Sequence, residues 1–157
     1  MSSLRNAPHT PNAYAEHLQS LAWMIGDWAG ERQKGETERL ALAFNEAQSF
    51  LVGTFATTAK DVPLASVHLY IGWDPMVKSI RSWSFDDTGA FGEGSWSMDG
   101  KKWLIKTTSV LPDGKKAAAT LVISSVDANT IALQATGRSV GDERLPDVPE
   151  VKLKRVK

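Results

Sequence analysis

From Trp28 onward apolar and polar side chains alternate with a period of two, in runs of strand length broken by turn residues. The runs are Trp28 to Lys34, Thr37 to Asn45, Phe50 to Ala59, Ala65 to Asp74, Ser79 to Asp86, Ala90 to Met98, Lys102 to Leu111, Lys115 to Val126, Thr130 to Val140 and Glu150 to Val156. Lys34-Gly35-Glu36, Asp74-Pro75, Asp87-Thr88-Gly89, Asp99-Gly100, Pro112-Asp113-Gly114 and Asp127-Ala128-Asn129 lie between them. Proline presets φ, aspartate bonds nearby backbone and glycine accepts positive φ, so these breaks predict tight reversals. Ahead of the strands, Tyr14, Leu18, Leu21, Ala22 and Ile25 fall on one face of a helix, with Asn12 as N-cap and Gly26 as its stop.

About ten strands in an up-and-down meander, with one short N-terminal helix, have no second layer to cover them. Curling the sheet on itself buries its apolar face and removes its edges. The predicted fold is therefore an all-β, antiparallel barrel with the helix closing one end, and an open two-sheet sandwich is the alternative. Residues 1–11 are expected to be a flexible tail and 12–157 a single barrel domain.

Alternation also predicts which side chains share a face. Val67, Leu69, Ile71 and Trp73 should point inward, against Ser66, His68, Tyr70 and Gly72. On the next strand Arg81 alternates with Trp83 and Phe85, opposite Ser82 and Ser84. If the aromatic face is inward, Arg81 enters the interior and needs an anionic group there. Otherwise it snorkels from the mouth or pairs with an acid on a neighbouring strand. Gly92 and Gly94 share parity with Trp96 and Met98, and paired glycines suit a sharp bend at a barrel corner. Ala117 and Ala119 with Leu121, and Ala135 and Gly137 with Leu133, place small residues on inward faces, which leaves room for a ligand.

Composition narrows the partners. With 157 residues, one domain is the default. Lys plus Arg and Asp plus Glu number 18 each, so no net field draws the chain to nucleic acid or an anionic membrane. The absence of cysteine rules out disulfides and thiolate chemistry, which fits a cytoplasmic location. No apolar run is long enough to span a membrane or serve as a signal. A monomer or homodimer is expected.

LAWMIGDW at Leu21 to Trp28, IGWDP at Ile71 to Pro75, RSWSFDDTGAFGEGSW at Arg81 to Trp96 and KTTSVLPDGKKAAAT at Lys106 to Thr120 resemble an uncharacterised bacterial family of lipocalin-like domains. Gly26-x-Trp28 after a short helix is similar to the calycin signature of lipocalins, fatty-acid-binding proteins and nitrobindin-like barrels. The resemblance covers Leu21 to Arg155. It implies a barrel in which Arg155 packs on the Trp28 indole. The family's association with SnoaL-like, NTF2-type domains implies small-molecule metabolism.

Candidate chemistry is sparse. His9, His17 and His68 are the only imidazoles, so no multi-histidine metal site is expected. Nitrobindin-like barrels bind haem through a histidine late in the chain. Nothing after His68 can serve, which leaves haem through His68 as the alternative to no cofactor. Glu93, His68 and Tyr70 are the candidate acid-base residues, each with parity that favours a solvated position. Trp73, Trp83, Phe85, Trp96 and Trp103, with Arg81 and Thr107, are the candidate ligand contacts. Ser109, Gln134 and Arg138 are further polar strand residues, and GDERLPDVP at Gly141 to Pro149 suits a rim beside the mouth.

The leading expectation is a barrel that binds a small apolar or aromatic ligand. A small cofactor-free isomerase, cyclase or lyase is the second, and it needs two of Glu93, His68, Tyr70 and Arg81 to converge inside. A filled barrel with a structural or partner-binding role is the third.

Overall fold

Alternating runs joined by tight reversals pair each strand with the next, and a computed structural model of the protein shows that pairing for residues 15–33 and 35–156. Strands β1 (Gly26–Gln33), β2 (Glu36–Phe44), β3 (Phe50–Ala59), β4 (Val62–Asp74), β5 (Ser79–Asp86), β6 (Phe91–Asp99), β7 (Lys102–Val110), β8 (Lys116–Asp127) and β9 (Thr130–Val140) form an antiparallel meander. After the two-residue β10 (Glu143–Arg144), β11 (Val148–Arg155) enters between β9 and β1. The additional β8–β9 pairing joins the ends, giving a closed barrel of ten strands. Closure leaves the sheet no long open edge, and no sandwich forms.

The segment before β1 departs from the sequence expectation. A short α-helix, α1 (Ala15–Leu18), continues as a 3-10 helix over Gln19–Met24. Ala15, Leu18, Leu21 and Met24 are the buried residues of the two turns together, spaced every third position as a three-residue turn requires. The expected face of Leu18, Leu21, Ala22 and Ile25 assumed the wider α-helical turn. Gly26 is the first residue of β1 rather than a helix stop, because Ile25 is already extended. The Asn12 cap, Tyr14 and the tail at residues 1–11 lie outside the described residues. Among those described, no helix is long and apolar enough to cross a membrane.

The core lies at the helix end of the barrel. Leu18 and Leu21 pack with Trp28, Leu51, Ile71, Ile131 and Leu153, all essentially without solvent contact. The His17 imidazole stacks on Trp73, centroids 4.0 Å apart and planes 4° from parallel, and so fastens α1 to the end of β4. Toward the other end a space opens between the walls.

The reversals follow the expected chemistry with one change of residue. In the β5–β6 turn it is Asp86, not Asp87, that holds the backbone. Its Oδ1 accepts from Thr88 N (2.9 Å), Thr88 Oγ1 (2.6 Å) and Ala90 N (2.9 Å). The Gly141 to Pro149 stretch is more ordered than a plain rim. Glu143 and Arg144 pair back onto Val140 and Ser139, and Arg138 Nη1 donates to Pro146 O at 2.9 Å.

Candidate functional site

The space inside the barrel is a cavity of about 400 Å³. Its floor includes Met24 from the 3-10 helix, and its walls are mostly aliphatic, with Leu40 and Leu42 from β2, Leu69 and Ile71 from β4 and Ile105 from β7. The inward face of β4 is the one that alternation assigned: Val67, Leu69 and Ile71 line the cavity, whereas His68 and Tyr70 are exposed on the outer wall. Leu121 and Ile123 of β8 and Ala135 of β9 also line it, and the modest volumes of alanine and serine keep the upper walls apart.

The neighbouring strand reverses the expectation. Ser82 and Ser84 face the cavity, so Arg81, Trp83 and Phe85 stand on the outer wall and are not ligand contacts inside it. Phe85 is 51% exposed. The reason lies in the partners. Ser82 pairs with Gly94 and Ser84 with Gly92, so small residues meet on the inside, while the aromatics cover the outside. Arg81 takes the alternative of pairing with acids nearby: its Nη2 donates to Glu93 Oε2 at 2.6 Å and its Nη1 to Asp74 Oδ2 at 3.5 Å. Its Nε is buried without a hydrogen bond, and the guanidinium lies 5.9 Å from the Trp83 ring centre.

The other candidates divide by height in the barrel. Trp96 lines the cavity, and its Nε1 donates to Ser82 Oγ at 3.0 Å. A Cβ on Gly94 would collide with that hydroxyl and with Ile105, so glycine here leaves space for the indole's acceptor. Gly94 has no positive φ, and what requires glycine there is close approach within the strand. Trp103 packs edge-on against Trp96, centroids 5.9 Å apart, and Trp73 belongs to the helix-end core under His17. Thr107 lines the cavity with its Oγ1 donating to Ala119 O at 3.1 Å. Ser109 and Gln134 also border it.

Glu93, His68 and Tyr70 do not meet inside. The Glu93 residue borders the cavity along the glycine-lined strand, but its carboxylate pairs with Arg81 outside and is 59% exposed. Tyr70 is 46% exposed. Haem ligation inside the barrel by His68 is likewise ruled out by its outward position. Among the described residues no group of three or more His, Cys, Asp or Glu side chains is placed to hold a metal.

Sequence reasoning missed one charged pair. Glu38 of β2 shares parity with Leu40 and Leu42, so it is carried inward and is only 4% exposed. Arg32, at the irregularity in the β1–β2 register between Glu31 and Gln33, also borders the cavity with its side chain 37% exposed, and its Nη1 donates to Glu38 Oε1 at 3.4 Å. Burial raises the Glu38 carboxyl above its ordinary value; Arg32 opposes the shift and Glu36 adds to it. The signal was available in the row of alternate residues Glu38, Leu40 and Leu42, one acid on an otherwise apolar face.

At the other end, Arg155 stacks on Trp28 as the resemblance implied, its guanidinium carbon 4.1 Å from the ring centre. The guanidinium also donates to Ile25 O (2.7 Å), Trp23 O (3.5 Å) and Ala128 O (3.2 Å), gathering the 3-10 helix and the β8–β9 turn onto the end of the barrel.

No family model matches the chain, and no curated protein matches it. The barrel is similar to the crystal structure of Rv2717c from M. tuberculosis, with a TM-score of 0.61 over 96% of this chain and 99% of that chain. At 18% identity, that likeness is one of fold.

Proposed function

We propose that this protein is a calycin-type barrel that takes a small apolar or aromatic molecule into its interior. The observation that carries the reading is the cavity of about 400 Å³ with mainly aliphatic walls. Its volume lies within the roughly 300–1,000 Å³ of small-molecule sites, and a few polar groups near its walls can orient a guest. Trp96 supplies an aromatic wall whose indole N–H is already occupied by Ser82, so it offers a guest its ring face or edge. The space itself counts against a barrel filled by its own side chains. An enzyme built on Glu93, His68, Tyr70 and Arg81 gains no support, because His68, Tyr70 and Arg81 stand on the outer wall and the Glu93 carboxylate pairs with Arg81 there.

The test compares ligand retention in two variants. Native mass spectrometry of protein purified from its own host is expected to show an added small-molecule mass. Ser84→Phe, which fills the cavity, should remove that mass, and Arg81→Ala on the outer wall should leave it. A bare chain mass for all three proteins, together with no uptake from a panel of aromatic compounds, would reject the reading.

A further inference from the structure

Among the described residues, Arg32 and Glu38 are the one ion pair of which both partners border the cavity. Glu38 sits on a buried, apolar face of β2, yet at 3.4 Å its bond to Arg32 is long for a charge-assisted hydrogen bond, which ordinarily closes to about 2.7–2.9 Å. Among the described residues this is the carboxylate's only hydrogen bond, its second oxygen accepts none from them, and Arg32, whose side chain is 37% exposed, makes no other side-chain hydrogen bond with them. A buried carboxylate in that state retains unused acceptor capacity and bears a desolvation cost that a further donor would relieve. Arg32, in turn, has guanidinium N–H groups to spare.

We infer that the polar end of the ligand is a neutral group with a donor and an acceptor side by side, of the carboxamide or lactam class, seated on Glu38 and Arg32 while its apolar body lies against Leu40 and Leu42. This rests on the barrel-binding reading. The pair is neutral overall, so a ligand carboxylate that reaches Arg32 must also approach Glu38, and an ammonium that reaches Glu38 must approach Arg32. An amide meets neither repulsion: its N–H donates to the free Glu38 oxygen and its C=O accepts from Arg32. A hydrocarbon end would leave both charges no better satisfied than before. The upward displacement of the Glu38 carboxyl by burial agrees with a group short of donors.

Equilibrium dialysis at neutral pH with naphthamide, naphthoate and methylnaphthalene holds the apolar body constant and changes only its end. The wild-type protein should bind naphthamide about tenfold more tightly than either of the others. Glu38→Gln leaves Arg32 uncompensated and should invert the order, with naphthoate becoming the tightest. Arg32→Gln leaves the acid alone and should exclude naphthoate while weakening naphthamide, which keeps the test alive if the first variant does not fold. Naphthoate or methylnaphthalene binding most tightly to the wild type would overturn the assignment and leave the barrel reading standing. Failure of all three to bind would overturn the assignment, and the barrel reading falls with it only if the native mass is also that of the bare chain.

Discussion

Trp28 and Arg155 are register partners across β1 and β11, and the guanidinium carbon lies 4.1 Å from the centre of the indole. The indole is 1% exposed and donates through Nε1 to Met24 O at 2.9 Å, so its ring face is left for the cation. Gly26 completes the arrangement: a Cβ there would run into Arg155 Nη1, and its φ of +132° is one that other residues rarely adopt. Gly-x-Trp is thus a clearance and a platform for one arginine. Arg155→Ala should cost about 2 kcal/mol or more, since it removes both the cation–π contact and a cluster of carbonyl bonds. Arg155→Lys should recover only part of that, because an ammonium cannot fan out over Ile25, Trp23 and Ala128. Urea denaturation measures both, and a lysine variant as stable as wild type would refute the account.

Ser82→Ala is expected to destabilise the fold by about 1–3 kcal/mol although it changes only one hydroxyl. The Trp96 N–H would lose its acceptor while only 7% exposed. A red- or blue-shifted tryptophan emission alongside the lower melting temperature would tie the loss to that indole. An unchanged melting temperature would mean the bond contributes nothing net.

Glu38 gives the stability a pH slope of definite sign. Burial raises its folded-state value above the ordinary 4.5, so between the two values the folded chain retains a proton that the unfolded chain has released. Stability contributed by this group therefore falls as pH rises through that window and levels off above it. Glu38→Gln should abolish this component, so its melting curve should gain on wild type as pH rises. Parallel pH profiles for the two proteins would contradict the assignment.

The opposite sign belongs to Asp86. Its side-chain bond with Thr88, followed by backbone donors around the turn, holds its carboxyl below the ordinary 3.8. That contribution is present above 3.8 and is lost as pH falls through the folded-state value. Asp86→Ala should cost about 1 kcal/mol at neutral pH and progressively less in acid. Asp87→Ala, one residue along, should have no such profile, and similar behaviour of the two variants would show that the turn is not held as described.

Alternation made the strands legible because a half-buried strand records its environment at every second residue. Val67, Leu69 and Ile71 were assigned inward on that ground, and they line the cavity. It fails on β5, where apolar size is no sign of burial. Trp83 and Phe85 are large and outside, and Ser82 and Ser84 are small and inside, because the interior there faces glycines and a cavity rather than a packed core. Parity alone is symmetric between the two faces, so the choice depends on what lies across the barrel. The 3-10 turn was hidden for a related reason: Leu18 and Leu21 fit both helical periods, and only Met24 distinguishes them. Glu38 is hard to read because a single acid in ETERLALAF looks like ordinary surface, and its partner Arg32 sits on a different strand.

The placement of β11 between β9 and β1 has a consequence for synthesis. A chain emerging from the ribosome can zip β1 to β2 and proceed hairpin by hairpin, but the free side of β1 must wait for residues 148–155. Until then the aliphatic cavity wall and the Trp28 indole have no lid on that side, and the nascent sheet is open to wrong pairing. Stalled chains ending before Val148 are therefore expected to be protease-sensitive throughout, with protection arriving in a single late step once Arg155 is free to reach Trp28.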